Sequence, residues 1–470
     1  MNDAVDAPLR TARPQVTALI VACALFMQNL DSTVIATALP TMARAFDVEP
    51  LRMNVALTAY LLSLAVFIPA SGWVADRYGA RNVFRAAILV FTIGSVLCGR
   101  AESLSFLVGS RILQGIGGAM MVPVGRLVLL RSVPKHQMVA AMAWLTMPAL
   151  IGPVVGPPLG GFIVTYFSWR WIFDINVPIG VAGIILVSLF VQDVREAPPG
   201  RFDGIGLLLC GVSLSGLMFG LETAGRGMVA VTATVVMVAI GLAAAALYAW
   251  HARRTEHPLL DFSLMRIATF RVSVVAGTLF RFGIGAVPFL LPMMLQLGFG
   301  QSAAESGMIT FASSAGALVM KPATQGALRR LGFRGTLIWN GVLSACLLAV
   351  TAAFRPFWPL AAIYAVLLAG GFFRSLQFTA FNTIAYADIP RERMSAATSL
   401  YSTMQQLSMT LGITAGAGTL EASMILARHA APSLMDFSTA FLAVSVLALL
   451  ASPICATLPP DAGNEMSGHH

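Results

Sequence analysis

The chain alternates long apolar runs with short polar connectors. Each run is roughly 18–25 residues, enough to cross ~30 Å of hydrocarbon as a helix at ~1.5 Å per residue. They lie near 16–39, 53–74, 83–100, 104–130, 138–166, 172–191, 204–221, 228–250, 271–297, 304–325, 335–353, 358–384, 396–420 and 437–457. The connectors leave no room for a soluble domain, so the pattern predicts an all-α integral membrane protein of fourteen spans. The polar start of the chain, with Asp3, Asp6, Arg10 and Arg13, precedes a run of full span length. That run therefore reads as a first membrane helix and not as a cleavable signal.

Composition agrees. Of the 470 residues 57% are hydrophobic and 11% charged, against about 25% charged in soluble domains. The formal net charge of +9 raises the question of nucleic acid, and the placement of the charges answers it. With the N-terminus in the cytoplasm, 18 of the 30 Lys and Arg flank the cytoplasmic side, 7 flank the other and 5 stay within spans. This is the positive-inside bias of a cytoplasmic (inner) membrane protein with both termini inside. The expected partners are membrane lipids and a small-molecule substrate, with no nucleic acid, and a monomer is expected. Cys23, Cys98, Cys210, Cys346 and Cys455 lie far apart with no ligand spacing, so neither disulfides nor a metal site is expected. His469 and His470 end the chain and are natural or a tag remnant.

A faint repeat runs through the connectors. Asp76-Arg77-Tyr78-Gly79-Ala80-Arg81 follows the second span and Arg329-Arg330-Leu331-Gly332-Phe333-Arg334 the tenth. It suggests two six-helix halves, 16–192 and 258–457, around an inserted pair at 193–257, with terminal segments 1–15 and 458–470 in the cytoplasm.

Five stretches carry chemistry. In Gly72-Trp73-Val74-Ala75-Asp76-Arg77-Tyr78-Gly79-Ala80-Arg81 the glycines permit a tight turn and close approach, and Asp76 offers a carboxylate to helix N-termini and to Arg77 or Arg81. Such a contact is a latch that forms in one conformation and breaks in another. Its alternative is a plain solvated basic loop. Arg111-Ile112-Leu113-Gln114-Gly115-Ile116-Gly117-Gly118 places a cation in the fourth span. Gly152, Pro153, Gly156, Pro157, Gly160 and Gly161 punctuate the fifth, where glycines let helices touch and prolines bend the span. Leu30-Asp31-Ser32-Thr33 and Trp169-Arg170-Trp171-Ile172-Phe173-Asp174-Ile175-Asn176-Val177-Pro178 complete the set.

Together these motifs resemble the major facilitator superfamily, in its fourteen-span drug:proton antiporter branch. Within that branch the chain is similar to a group labelled multidrug exporters, to one member of which iron–citrate export is ascribed; Met120 to Arg126 and Gln377 to Thr383 carry that likeness. The resemblance implies the major facilitator fold of two pseudo-symmetric halves and proton-driven export. The second-half loop departs from the motif, since Arg329 stands where Asp76 stands, which puts a symmetric pair of latches in doubt.

Ionisable groups inside spans are costly and default to function. Asp31 is the one acid placed deep in a span, ~22 Å along the first helix, and Arg111 lies ~10 Å into the fourth from the opposite side. Similar depth predicts pairing, with Asp31 as proton carrier and Arg111 as its switchable partner; a static pair holding two helices together is the alternative. Arg126 and Lys321 lie nearer the inner face, where snorkelling to headgroups is expected. Arg281 and Arg374 lie deeper. Several cations against one acid favour an organic anion such as citrate or iron–citrate over a lipophilic cation. Gln28, Asn29, Gln114, Arg281, Arg374, Gln377, Asn382 and Gln405 are the substrate-binding candidates. No nucleotide-binding loop or catalytic triad appears. The chain is expected not to be an enzyme, to need no cofactor and to use the proton as coupling ion. The competing functions are a broad multidrug:proton antiporter and, from another class, a non-transporting membrane sensor.

Overall fold

The computed structural model describes residues 14–48, 50–192, 200–224, 231–429 and 431–468. The first thirteen residues of the N-terminal segment, the 193–199 linker, and His469 and His470 lie outside the described residues. Regular structure among the described residues is helical throughout. Fourteen rods carry it: α1 (Pro14–Ala45), α2 (Pro50–Phe67, continued by Ile68–Ala70 and Ser71–Tyr78), α3 (Ala80–Gly99), α4 (Leu104–Ser132), α5 (Met138–Tyr166), α6 (Asn176–Phe190), α7 (Gly204–Ala224), α8 (Val231–Ala252), α9 (Ala268–Met293), α10 (Ala303–Gly335), α11 (Gly341–Thr351), α12 (Leu360–Ile384), α13 (Met394–Ala427) and α14 (Leu434–Leu449). Each expected span falls on one of them. Among the described residues, eleven stretches meet the length and apolarity needed to cross a bilayer, and one of these, Glu305–Thr351, is two helices broken at Gly332. Large apolar side chains such as Leu189, Ile205, Leu208 and Leu247 stand exposed on the outside, the inverse of a soluble surface.

Local chemistry sets the ends. Ser103 caps α4 by accepting from the Phe106 N–H, and Ser302–Glu305 and Ser433–Asp436 form capping boxes on α10 and α14. The repeated loop is punctuated alike in both halves: Gly79 has φ +86° and Gly332 φ +64°, a region where a side chain is strained. The weak sequence repeat thus marks the same helix break twice.

Packing repeats as well. In the first half α1 runs along α5 and α6, while α4 runs along α2 and α3, and α3 along α6. The second half shows the same pairs, α9 with α13 and α14, α12 with α10 and α11, and α11 with α14. The extra pair α7–α8 packs on itself, with α7 laid against α2 and α13.

The start of α1, where Val21 lies against Gly125 and Phe84, and the residues up to Gly468 sit at one face, called here the near face, where Lys135 of the α4–α5 turn pairs with Glu465 at 3.0 Å. The apolar core is continuous between the halves only on this side. One cluster joins Val21, Phe84, Leu129, Phe270, Leu376 and Leu400 across both halves. Toward the far face the core splits into two, one around Val34, Met42 and Phe173 and one around Leu290, Phe354 and Phe441. Among the described residues the apolar contact between the halves thus lies toward the near face.

The α1–α5 contact offers a direct test of this packing. A Cβ on Gly156 would sit 2.1 Å from Thr33 Oγ1, whereas one on Gly161 would meet nothing within 4 Å. Gly156→Val is expected to lower the thermal midpoint in detergent by several degrees, and Gly161→Ala to leave it within about one degree, read by size-exclusion after heating. Equal tolerance at both positions would contradict the packing.

Candidate functional site

Asp31 sits midway along α1, buried to 3% exposure. Its Oδ2 accepts from Arg111 Nη1 of α4 at 2.6 Å, with both side chains essentially sealed from solvent. Its Oδ1 accepts from Gln114 Nε2 at 2.9 Å and from Asn176 Nδ2 of α6 at 3.0 Å. The Asn176 amide also donates to Ser95 Oγ of α3 at 2.9 Å, and Ser95 in turn donates to the Phe173 carbonyl at 3.0 Å. Gln114 Oε1 accepts a second bond from Arg111 Nη1 at 2.6 Å and faces the Cys98 thiol at 3.7 Å. Tyr60 of α2 lays its ring 4.2 Å from the guanidinium, a cation–π contact strengthened by exclusion of water. Five helices therefore hold one carboxylate. Arg111 Nε and Nη2, Tyr60 OH and Asn176 Oδ1 make no hydrogen bond to the protein, so the shell is not fully satisfied.

Small residues bring these helices within reach. A Cβ on Gly94 would lie 2.7 Å from the Gln114 backbone, and one on Gly115 would lie 2.6 Å from Ser63. Gly152 abuts Asn29 and Leu30 as Gly156 abuts Thr33. The glycines of α5 thus seat α1 within about half a turn either side of Asp31. The side chains of Pro153 and Pro157 lie outside the described residues. Gly160 is buried, and Gly161 has open space.

A second charged region crosses between the halves near the closed face. Arg126 of α4 donates to Tyr386 OH and to Gln405 Oε1 of α13, each at 3.2 Å. Arg281 of α9 donates to Tyr401 OH, and both guanidiniums lie against the Tyr401 ring, at 5.5 and 5.0 Å. Lys321 of α10 donates to Thr146 of α5 at 2.7 Å and to Thr379 of α12 at 2.8 Å. Arg374 donates to Ser313 Oγ and to the Gly370 carbonyl. None of these four cations pairs with a carboxylate among the described residues.

At the near face, Asp76 accepts from Arg131 Nη2 at 2.8 Å and from Ser395 Oγ at the start of α13. A Cβ on Gly72 would sit 2.7 Å from the Ser395 carbonyl. Ser399 donates to the Pro69 carbonyl at 2.6 Å. The loop thereby closes the end of α2 on the second half. Just outside the membrane segments, Arg393 holds Asp261 at 2.6 Å. Burial acts to raise the Asp261 pKa, but hydrogen bonds from Ser263 and Arg393 outweigh it and hold the carboxyl below its ordinary value.

The description "Major Facilitator Superfamily" matches residues 21–413 and 273–466. The chain belongs to the Major Facilitator Superfamily. It is 42% identical over 407 residues to a Serratia proteamaculans protein named "Putative multidrug resistance protein MdtD", covering 86% of this chain and 84% of that one. A protein of the same name from Pectobacterium carotovorum is 40% identical over 448 residues, covering 94% and 95%. Among solved structures the fold is similar to that of the human organic anion transporter MFSD10 (TM-score 0.69, 14% identity, 94% and 99% coverage). It is also similar to the proton:xylose symporter XylE (TM-score 0.66, 14% identity, 95% and 96% coverage).

In this facilitator the expected site residues fall into distinct places. Asp31, Arg111 and Gln114 converge, which places Gln114 beside the carboxylate and away from the gap between halves. Arg281 bonds Tyr401 and Gln405 bonds Arg126, and the two cations share the Tyr401 ring. Gln377 instead ties α12 to the α10–α11 junction, accepting from Asn340 at 2.8 Å and donating to the Leu337 carbonyl at 2.9 Å. Asn382 bonds the Phe378 carbonyl of its own helix, as Asn29 bonds that of Leu25. Gln28 is half-buried, with Oε1 unpartnered. Two expectations need correction. Arg126 and Lys321 do not snorkel: they are 6% and 3% exposed and reach across the interface. Asp76 pairs with neither Arg77 nor Arg81; Arg81 bonds the Ser188 carbonyl and Arg77 is exposed. Sequence reading missed Tyr60, Ser95 and Asn176, although Asn176 stood within a motif.

Removing one member of a buried pair strands the other, at a cost of about 3–5 kcal/mol. Arg111→Gln is expected to lower thermal stability sharply, and the Asp31→Asn/Arg111→Gln double variant to recover part of the loss. Strict additivity in this cycle would show that the two groups are not coupled. Asp76→Asn is expected to loosen the near face, read as faster amide exchange over 394–403. Unchanged exchange there would mean that Asp76 holds nothing closed.

Proposed function

We propose that this chain is a proton-coupled secondary transporter that exports small molecules across the cytoplasmic membrane. Family membership supports a transporter, and the relatives' name supports export. The observation that carries proton coupling is the Asp31–Arg111 pair, sealed in the first half, with Gln114 and Asn176 bonding the carboxylate and Tyr60 covering the guanidinium. Protonating Asp31 removes its negative charge and the reason for Arg111 to stay, so one proton can re-set the packing of α1 against α4. The basic excess in the near-face connectors supports a cytoplasmic place for that face and for both termini. The structure is then an outward-facing state, closed inside by Asp76, Ser399 and Lys321.

The substrate reading is an organic anion of the citrate or iron–citrate kind. It rests on four membrane-buried cations that lack carboxylate partners among the described residues. A broad exporter of lipophilic compounds is the second reading, favoured by the multidrug name of the relatives. The protein works as a monomer with the proton as coupling ion and no other cofactor.

Purified protein in liposomes with an imposed pH gradient decides between them. Gradient-driven movement of citrate or iron–citrate, abolished by an uncoupler, is expected. Movement of a cationic dye alone would shift the assignment to the second reading, and movement of neither would refute the transporter assignment.

A further inference from the structure

We propose that Arg126 and Arg281 form a two-pronged site for a compact organic dianion, open to the cytoplasm when the near face parts and closed off in the present state by Tyr386 and Gln405. The inference rests on the transporter reading and adds where the charge of the substrate is met.

The geometry has three parts. First, both guanidiniums lean on one ring, that of Tyr401, although they come from different halves. Side chains on a helix lean toward its N-terminus, and α9 starts at the near face, which brings the deeper Arg281 down to Tyr401. Second, the donors are under-used. Arg126 Nε and Arg281 Nε and Nη1 make no hydrogen bond to the protein although these side chains are more than nine-tenths buried. A buried guanidinium without an anion is costly, and two side by side repel. Third, the bonds that Arg126 does make are to a phenol and an amide oxygen, both on the second half. These neutral acceptors are the weaker partners; a carboxylate accepting two guanidinium hydrogens binds more strongly.

Those features define a cycle. When the halves part at the near face, Arg126 leaves Tyr386 and Gln405, and its fork becomes free toward the cytoplasm. One carboxylate then bridges to Arg126 and a second to Arg281, with Tyr401 OH as further donor. Re-closing returns Tyr386 OH and Gln405 Oε1 to Arg126 and takes its donors away from the anion, which favours release on the other side. Two fixed positive charges call for two negative ones, so a dicarboxylate should outcompete a monocarboxylate of the same length.

The test is equilibrium binding of radiolabelled succinate and butyrate to the purified full chain, with thermal stabilisation as a second readout. Wild-type protein should bind succinate at least about tenfold more tightly than butyrate. Arg126→Gln and Arg281→Gln should each lose about tenfold or more of the succinate affinity, and Arg126→Lys should lose less. Tyr386→Phe, which weakens the closing contact alone, should bind succinate more tightly. Equal binding of the two acids by wild type, or succinate binding unaffected in folded Arg→Gln variants, overturns the site. The wild-type comparison stands even where a variant fails to fold. If the site fails while gradient-driven flux persists in liposomes, only this inference falls; if flux is absent and succinate still binds, only the transporter reading falls.

Discussion

A single carboxylate facing a single guanidinium inside the first half constrains much of the molecule. Either charge alone in hydrocarbon is costly, so a meeting of Asp31 and Arg111 is favoured, and it brings α1 and α4 together. The glycines of α3, α4 and α5 shorten the distances, Gln114 and Asn176 fill the remaining acceptor positions, and Tyr60 covers the cation. Breaking the charge balance at Asp31 therefore disturbs several helices at once. A buried pair of this kind contributes little net stability; its value lies in being a joint that one proton can loosen.

Among the described residues the second half has no arginine–carboxylate pair sealed in mid-helix; its pairs, Arg393–Asp261 and His429–Asp436, lie at helix ends. Deeper in that half stand Arg281 against Tyr401 and Arg374 against Ser313. The asymmetry extends to the loops. Gly79 and Gly332 break their helices alike, but Asp76 closes one side of the interface with a charged latch while the Lys321–Thr146 contact closes the other. The proposed cycle divides the labour, with protons handled in the first half and substrate charge met between the halves.

The sequence revealed the apolar helices and the repeat because bilayer thickness and the cost of charge act on every residue. It also brought Asp31 and Arg111 together, since depth along a helix is simple arithmetic. It failed where lateral neighbours decide. Arg126 was expected at the lipid headgroups because depth alone cannot show Tyr386, 260 residues away. Asp76 was matched with the arginines beside it in the chain, whereas its partner is Arg131, 55 residues on. Gln377 and Asn382 carried the same polarity as site residues, and their commitment to Asn340 and to backbone carbonyls emerges only from packing.

The central claim is that Asp31 carries the proton and does not merely hold α1 to α4. The most direct measurement compares Asp31→Asn with wild type in the same liposomes for two modes of movement, exchange of substrate at equal pH and accumulation against a gradient. The account predicts that the variant keeps exchange, because the amide preserves the shape of the site, and loses pH-driven accumulation. Accumulation that persists in Asp31→Asn would contradict it.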